Sequence, residues 1–258
     1  MNGHNPEPAA TRICLVVPCY NEAERLAPEQ FLSALRNELR LNLLFVDDGS
    51  TDRTGRVLAD LCATTPERIR CLRRSVNGGK AEAVREGVLA ALSGGYGLIG
   101  YWDADLATPL AELKEVASYF ESPRINAVLC SRVNLLGRNV RRRLWRHYFG
   151  RFSATLISFA LRMGVYDTQC GAKLFRANDG LRAVFDRPFT TTWVFDAEIL
   201  ARFQVLTGGG ERDMGIIEHP VREWRDVPGS KVRFGNVLRT AADLCRIRRY
   251  VQRNRRGL

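Results

Sequence analysis

The sequence predicts an α/β fold, a mostly parallel sheet flanked by helices. Three observations support it. Short apolar runs alternate with helical patterns through the first half of the chain. That βαβαβαβαβ order requires crossover helices, which make neighbouring strands parallel. Acidic and polar clusters follow several of the apolar runs, where such sheets bind ligands.

Taken in order, residues 13–17 form a buried strand ending at Pro18. Residues 29–40 are a helix with Phe31, Leu32, Leu35 and Leu39 on one face. Residues 43–46 are the second strand. Ser50 or Asp52 then caps a helix carrying Val57, Leu58 and Leu61. Residues 69–72 are the third strand and 79–92 the next helix. A fourth strand spans 98–102. Pro109 suits a first helical turn, so 109–120 is helical, and 127–130 is the fifth strand. The second half is less regular. Residues 141–163 read as one or two helices, 173–175 as a short strand, 195–204 as a helix and 215–223 as a strand. A basic C-terminal helix closes the chain. The division is a disordered tail at 1–11, one domain at 12–235 and the basic helix at 236–258.

The 258 residues, 45% apolar and 26% charged, can bury a core without disulfides. The seven cysteines are scattered and form no C-x-x-C pair, which suits a reducing compartment and excludes a zinc cluster. No apolar run is long enough to span a bilayer. The expected location is cytoplasmic, on the inner face of a membrane. Net charge is +11, concentrated in two places. Residues 138–151 hold six arginines and no acid, and 239–256 hold seven arginines and one acid. Such patches suit anionic lipid, phosphorylated ligands or nucleic acid.

Three turns carry chemistry. Asp103-Ala104-Asp105 follows a strand, and two carboxylates there can hold a hard cation with a diphosphate; a turn with two capping acids is the plainer reading. Asp47 and Asp48 follow another strand and can accept from a base or ribose, or simply cap the turn. Asn77-Gly78-Gly79-Lys80 opens a helix, where glycine backbone and a lysine favour an anion. It lacks the P-loop spacing.

Together PCYNE at 18–22, VDDGSTDRT at 46–54, NGGKAEAV at 77–84 and DAD at 103–105 resemble the family 2 glycosyltransferases of the GT-A fold. SR at 131–132, DTQCGAKLF at 167–175, WVFDAEIL at 193–200 and VPGSKV at 227–232 resemble the dolichyl-phosphate β-glucosyltransferases among the polyprenyl-phosphate glycosyltransferases. The resemblance implies that Pro18, Tyr20, Asn21, Glu22, Asp47, Asp48, Asn77, Lys80, Asp103 and Ala104 line the donor nucleotide. It implies that Asp103 and Asp105 bind Mg²⁺ or Mn²⁺. Arg132 and Arg146 hold the acceptor phosphate, with Gln169, Ser230 and Lys231 beside it. Asp167 and Asp196 sit near the sugar, and Asp105, Asp167, Asp196, Arg132 and Arg146 form the catalytic set. The mannosyl branch often carries a glutamine two residues after the second aspartate; Ala107 stands here, as in the glucosyl branch.

The implied reaction inverts the anomeric carbon, moving a hexose from UDP-glucose to a polyprenyl phosphate. A phosphate monoester, with a second pKa near ~6, is largely a dianion at neutral pH and needs little general base. Arginines relieve its repulsion from the donor diphosphate. The basic and then apolar pattern of 138–165 is expected to face an anionic membrane surface or the acceptor. Three other readings compete. A soluble saccharide acceptor would require a general base. GDP-mannose is an alternative donor. Nucleic-acid binding is suggested by charge alone, and no nucleic-acid partner is expected.

Overall fold

The computed structural model describes residues 11–141, 154–208, 214–227 and 237–255. Its strands are β1 (Ile13–Cys19), β2 (Leu41–Asp47), β3 (Ile69–Arg73), β4 (Leu98–Trp102), β5 (Ala127–Ser131), β6 (Asn139–Arg141), β7 (Ala172–Arg176), β8 (Ile216–Pro220) and β9 (Glu223–Arg225). The helices are α1 (Pro28–Asn37), α2 (Thr54–Thr64), α3 (Lys80–Leu92), α4 (Leu113–Ser118), α5 (154–161), α6 (Asp179–Phe185), α7 (Phe195–Leu206) and α8 (Val237–Arg255).

Seven strands form the main sheet in the order β3-β2-β1-β4-β7-β5-β8. All neighbours run parallel except β7, which is antiparallel to both β4 and β5. β6 and β9 pair as a small parallel sheet. The predicted α/β class therefore holds.

The period of two in the strands divides the core. Ile13, Leu15 and Val17 of β1 face α1, α2 and α4. Cys14 and Val16 face the other side, covered by α3, α5, α6, α7 and α8. Phe31 and Phe45 pack edge to face at 5.1 Å in the first layer. A fully buried ring of this kind contributes about 1.5–3 kcal/mol. α8 joins the second layer through Leu244, Ile247 and Val251, and leaves Arg246, Arg249 and Arg253 exposed. No helix among the described residues is long and apolar enough to cross a membrane.

Several boundaries differ from expectation. α1 stops at Asn37, leaving Leu39 exposed rather than on the buried face. Neither Ser50 nor Asp52 is the cap residue of α2; Arg53 is, although Asp52 Oδ1 accepts from the Thr54 N–H at 2.9 Å. The segment after Pro109 divides into 3₁₀ turns at Leu110–Glu112 and Tyr119–Glu121 around a short α4. The strand expected at 215–223 breaks after Pro220. Val221 still donates to Ser131 O, but the Arg222 and Glu223 N–H groups turn onto Glu112 Oε1.

Within the 138–165 segment the described residues differ from expectation at both ends. Residues 139–141 are a strand rather than a helix start. The apolar stripe of α5 is core: Ala154, Ile157, Leu161 and the following Met163 are buried, with Leu156 and Ala160 packed against them. Only Phe159 of that stripe is exposed, and the Arg248 guanidinium lies 5.2 Å from its ring. The rest of the expected membrane- or acceptor-facing stretch, residues 142–153 with Phe149 and Phe152 of the stripe, lies outside the described residues. The cysteine expectation also fails for one pair, since Cys62 on α2 and Cys71 on β3 form a disulfide.

Candidate active site

The site lies beyond the carboxyl ends of β1, β2 and β4, as parallel topology dictates. At the end of β1, Asn21 adopts φ 52°, which asparagine tolerates better than most residues. Its Oδ1 accepts from the Thr51 N–H at 2.9 Å, and its own N–H donates to Ser50 Oγ at 3.0 Å. The Glu22 N–H donates to Thr54 Oγ1 at 2.8 Å. These bonds fasten the first turn to the Asp47–Asp52 turn. Pro18 and Tyr20 are half-buried beside it. Glu22 pairs with Arg25, and the charges of Asp105 and Asp103 also act on Arg25.

Asp47 and Asp48 have different partners. Asp47 Oδ1 accepts from the Ser50 N–H at 3.0 Å, and Oδ2 lies 3.6 Å from Arg73 Nε. Asp48 accepts from the Gly78 N–H at 2.9 Å, the Gly79 N–H at 2.8 Å and the Arg74 guanidinium. Asp48 thus shapes the glycine turn. Gly79, at φ 86°, takes a conformation that glycine alone adopts freely. Asn77 stays exposed at the rim. Lys80 follows, and its Nζ lies 2.6 Å from Asp103 Oδ1. Burial would lower the Lys80 pKa, but the charges of Asp103 and Asp196 outweigh it and raise it.

Asp103 extends the β4–β7 ladder, its N–H donating to Gly171 O at 2.9 Å. A Cβ at residue 171 would overlap the Asp103 carboxylate, so glycine is what lets the 167–171 loop lie there. Ala104 is buried. Burial, followed by the charge of Asp103, pushes the Asp105 carboxyl up. A close pair of carboxylates, one strained toward its neutral form, fits a hard divalent cation.

On the far side, the Arg132 fork grips Asp167: Nε to Oδ2 at 2.6 Å and Nη2 to Oδ1 at 2.8 Å. Burial opposes the arginine charge, but Asp167 dominates and raises its pKa, with Asp103 adding to the effect. Glu218 on β8 anchors this loop by accepting from the Tyr166 and Asp167 N–H groups, both at 2.8 Å. The Gln169 N–H donates to Asp167 Oδ1 at 3.1 Å, while its buried Nε2 has no acceptor among the described residues. Asp196, in the first turn of α7, takes Lys173 Nζ at 2.6 Å.

Of the expected residues, Lys80 contacts Asp103 directly, and Asp105 and Arg132 feel its charge; those after β1 and β2 form the interlocked turns that lead to Lys80. Arg146, Ser230 and Lys231 lie outside the described residues. Sequence reasoning missed Arg25, Arg74, Glu218, Lys173 and Tyr101. Lys173 alone gave a signal, as a lysine inside an apolar strand. A second cluster, Glu112, Glu115 and His219, brings its oxygens and nitrogens close together. Those atoms are already engaged: Glu112 with His219 Nε2 at 3.0 Å and two backbone N–H groups, Glu115 with Arg222.

A mostly parallel sheet with an acidic pair at the end of its fourth strand defines a nucleotide-sugar transferase architecture. The chain belongs to glycosyl transferase family 2, whose model matches residues 14–179. Its curated relatives include dolichyl-phosphate β-glucosyltransferases. One from Trichomonas vaginalis is 32% identical over 94% of this chain and 72% of its own length. Those from Saccharomyces cerevisiae and Homo sapiens are each 30% identical over 92% of this chain, and over 74% and 75% of theirs. The fold is that of glucosyl-3-phosphoglycerate synthase from Mycobacterium tuberculosis, crystallised with Mn²⁺, UDP-glucose and phosphoglyceric acid. That structure has a TM-score of 0.64 and 17% identity, covering 93% of this chain and 80% of the other.

Proposed function

We propose that this glycosyltransferase moves glucose from UDP-glucose to a dolichyl-type polyprenyl phosphate, with inversion at the anomeric carbon. The observation that carries this reading is the relatives' identity of 30–32% along more than nine-tenths of the chain. The geometry supports it at the donor and acceptor ends.

At the donor end, the interlocked turns carrying Pro18, Tyr20, Asn21, Glu22, Asp47, Asp48 and Asn77 hold the nucleotide. Lys80 reaches the diphosphate. Asp103 and Asp105, with Ala104 between them, hold Mg²⁺ or Mn²⁺. That ion would supply charge neutralisation for the departing diphosphate. Asp196 faces the sugar from the first turn of α7.

At the acceptor end, Asp167 orients the Arg132 guanidinium, which meets the acceptor phosphate with Arg146. The orphaned Gln169 Nε2 is a donor suited to phosphate or sugar oxygen, and Ser230 and Lys231 are assigned to the acceptor by the sequence motif alone. A dianionic phosphate is already a nucleophile, so these residues position and neutralise rather than remove a proton. The exposed α8 arginines add attraction to an anionic leaflet, on the order of 1 kcal/mol each. Extraction of labelled product into organic solvent after incubation with UDP-glucose and a polyprenyl phosphate tests the reading. Label transferred only to a soluble phosphorylated acceptor would contradict it.

A further inference from the structure

We infer that Lys173 and Tyr101 are positioning residues for transfer: they fix the Asp196 carboxylate as an acceptor for hydroxyl groups of the donor sugar. The inference rests on the nucleotide-sugar reading above.

Tyr101 on β4 and Lys173 on β7 are direct partners in the antiparallel register. Their side chains leave the same face of the sheet and are both fully buried. A lysine so placed requires compensation for its lost hydration. Lys173 Nζ donates to Asp196 Oδ1 and to Cys170 O, each at 2.6 Å, and lies 5.1 Å from the Tyr101 ring centre. The Tyr101 hydroxyl donates to the same Asp196 Oδ1.

Two donors on one oxygen fix the rotation of the carboxylate. The other oxygen, Oδ2, has no donor among the described residues. An ionised carboxylate can only accept, so its remaining partner must be a donor. Asp196 acts through space on Lys80, which is paired with Asp103. With Oδ1 held by the two donors, Oδ2 is the atom of this carboxylate left to meet a ligand. In a nucleotide-sugar site the hydroxyls available there are those of the sugar.

Tyr101→Phe removes one donor and keeps the ring. Its kcat with radiolabelled UDP-glucose should fall about ten-fold or more, with the fold retained and UDP affinity unchanged. Asp196→Asn should fall further, and adding Tyr101→Phe to it should cost nothing more, because both act through one contact. Lys173→Met should resemble Asp196→Asn; where it fails to fold, the Tyr101→Phe cycle carries the test. Tyr101→Phe turnover within two-fold of the parent, or effects that simply add, would overturn the inference while leaving the transferase reading intact. A parent protein that binds UDP yet transfers label from neither UDP-glucose nor GDP-mannose would overturn the reading beneath it.

Discussion

The side of this site proposed to take the donor and the side proposed to take the acceptor are built by different means. On the donor side, short polar residues within a few positions of each strand end satisfy backbone groups of the neighbouring turn. Asn21 meets Thr51, Thr54 meets Glu22, and Asp48 meets Gly78 and Gly79. On the side proposed for the acceptor, charged side chains far apart in sequence pair, Arg132 with Asp167, and the same construction, Lys173 with Asp196, stands where that side meets the proposed donor sugar. The first construction fixes a backbone shape that cradles an anion. The second stores charge in a buried or largely buried setting, where losing one partner leaves the other uncompensated.

That contrast predicts different consequences of mutation. The largest effect belongs to the acidic pair that joins the two sides. Asp105→Ala should abolish metal-dependent transfer, a loss of about a thousand-fold or more in kcat. Near-normal turnover by a folded variant would refute the role given to the pair. Next comes Arg132→Lys, which keeps the charge but loses the fork that grips Asp167. It should lower kcat/KM for the lipid phosphate by about a hundred-fold, leaving the KM for UDP-glucose nearly unchanged. An equal change in both constants would erase the distinction between the two sides. Lys80→Ala should do the reverse, raising the KM for the donor about ten-fold while the acceptor KM holds. Smallest is Asn178→Ala at the start of α6, outside both sides. The lost cap, in which Oδ1 accepts from the Leu181 N–H at 2.9 Å, should cost about 1 kcal/mol and lower the melting temperature by about 2–4 °C without changing kinetics.

The same contrast explains what could be read from the sequence. β4 was legible to the residue, because an apolar run bounded by glycine and aspartate admits one assignment. The donor turns were legible because their function is local: residue types and their spacing within five or six positions state the geometry. The acceptor pairs were visible only as separate charged residues. Nothing local joins Arg132 to Asp167, or Lys173 to Asp196; the antiparallel insertion of β7 between β4 and β5 brings them together. The α5 stripe misled for a related reason. An apolar helix face preceded by arginines has the same pattern whether lipid or α7 covers it, and here the protein does. The Cys62–Cys71 pair depends in the same way on how α2 docks against β3.

The central claim is that one chain joins a UDP-sugar site to a lipid-phosphate site. The most direct measurement incubates the protein with radiolabelled UDP-glucose, Mg²⁺ and a short polyprenyl phosphate, with GDP-mannose in parallel, and counts label in the organic phase. The account predicts chelator-sensitive lipid label from UDP-glucose and little from GDP-mannose. Metal-dependent hydrolysis of UDP-glucose with no lipid label from either donor would contradict the acceptor, and label from GDP-mannose alone would contradict the sugar.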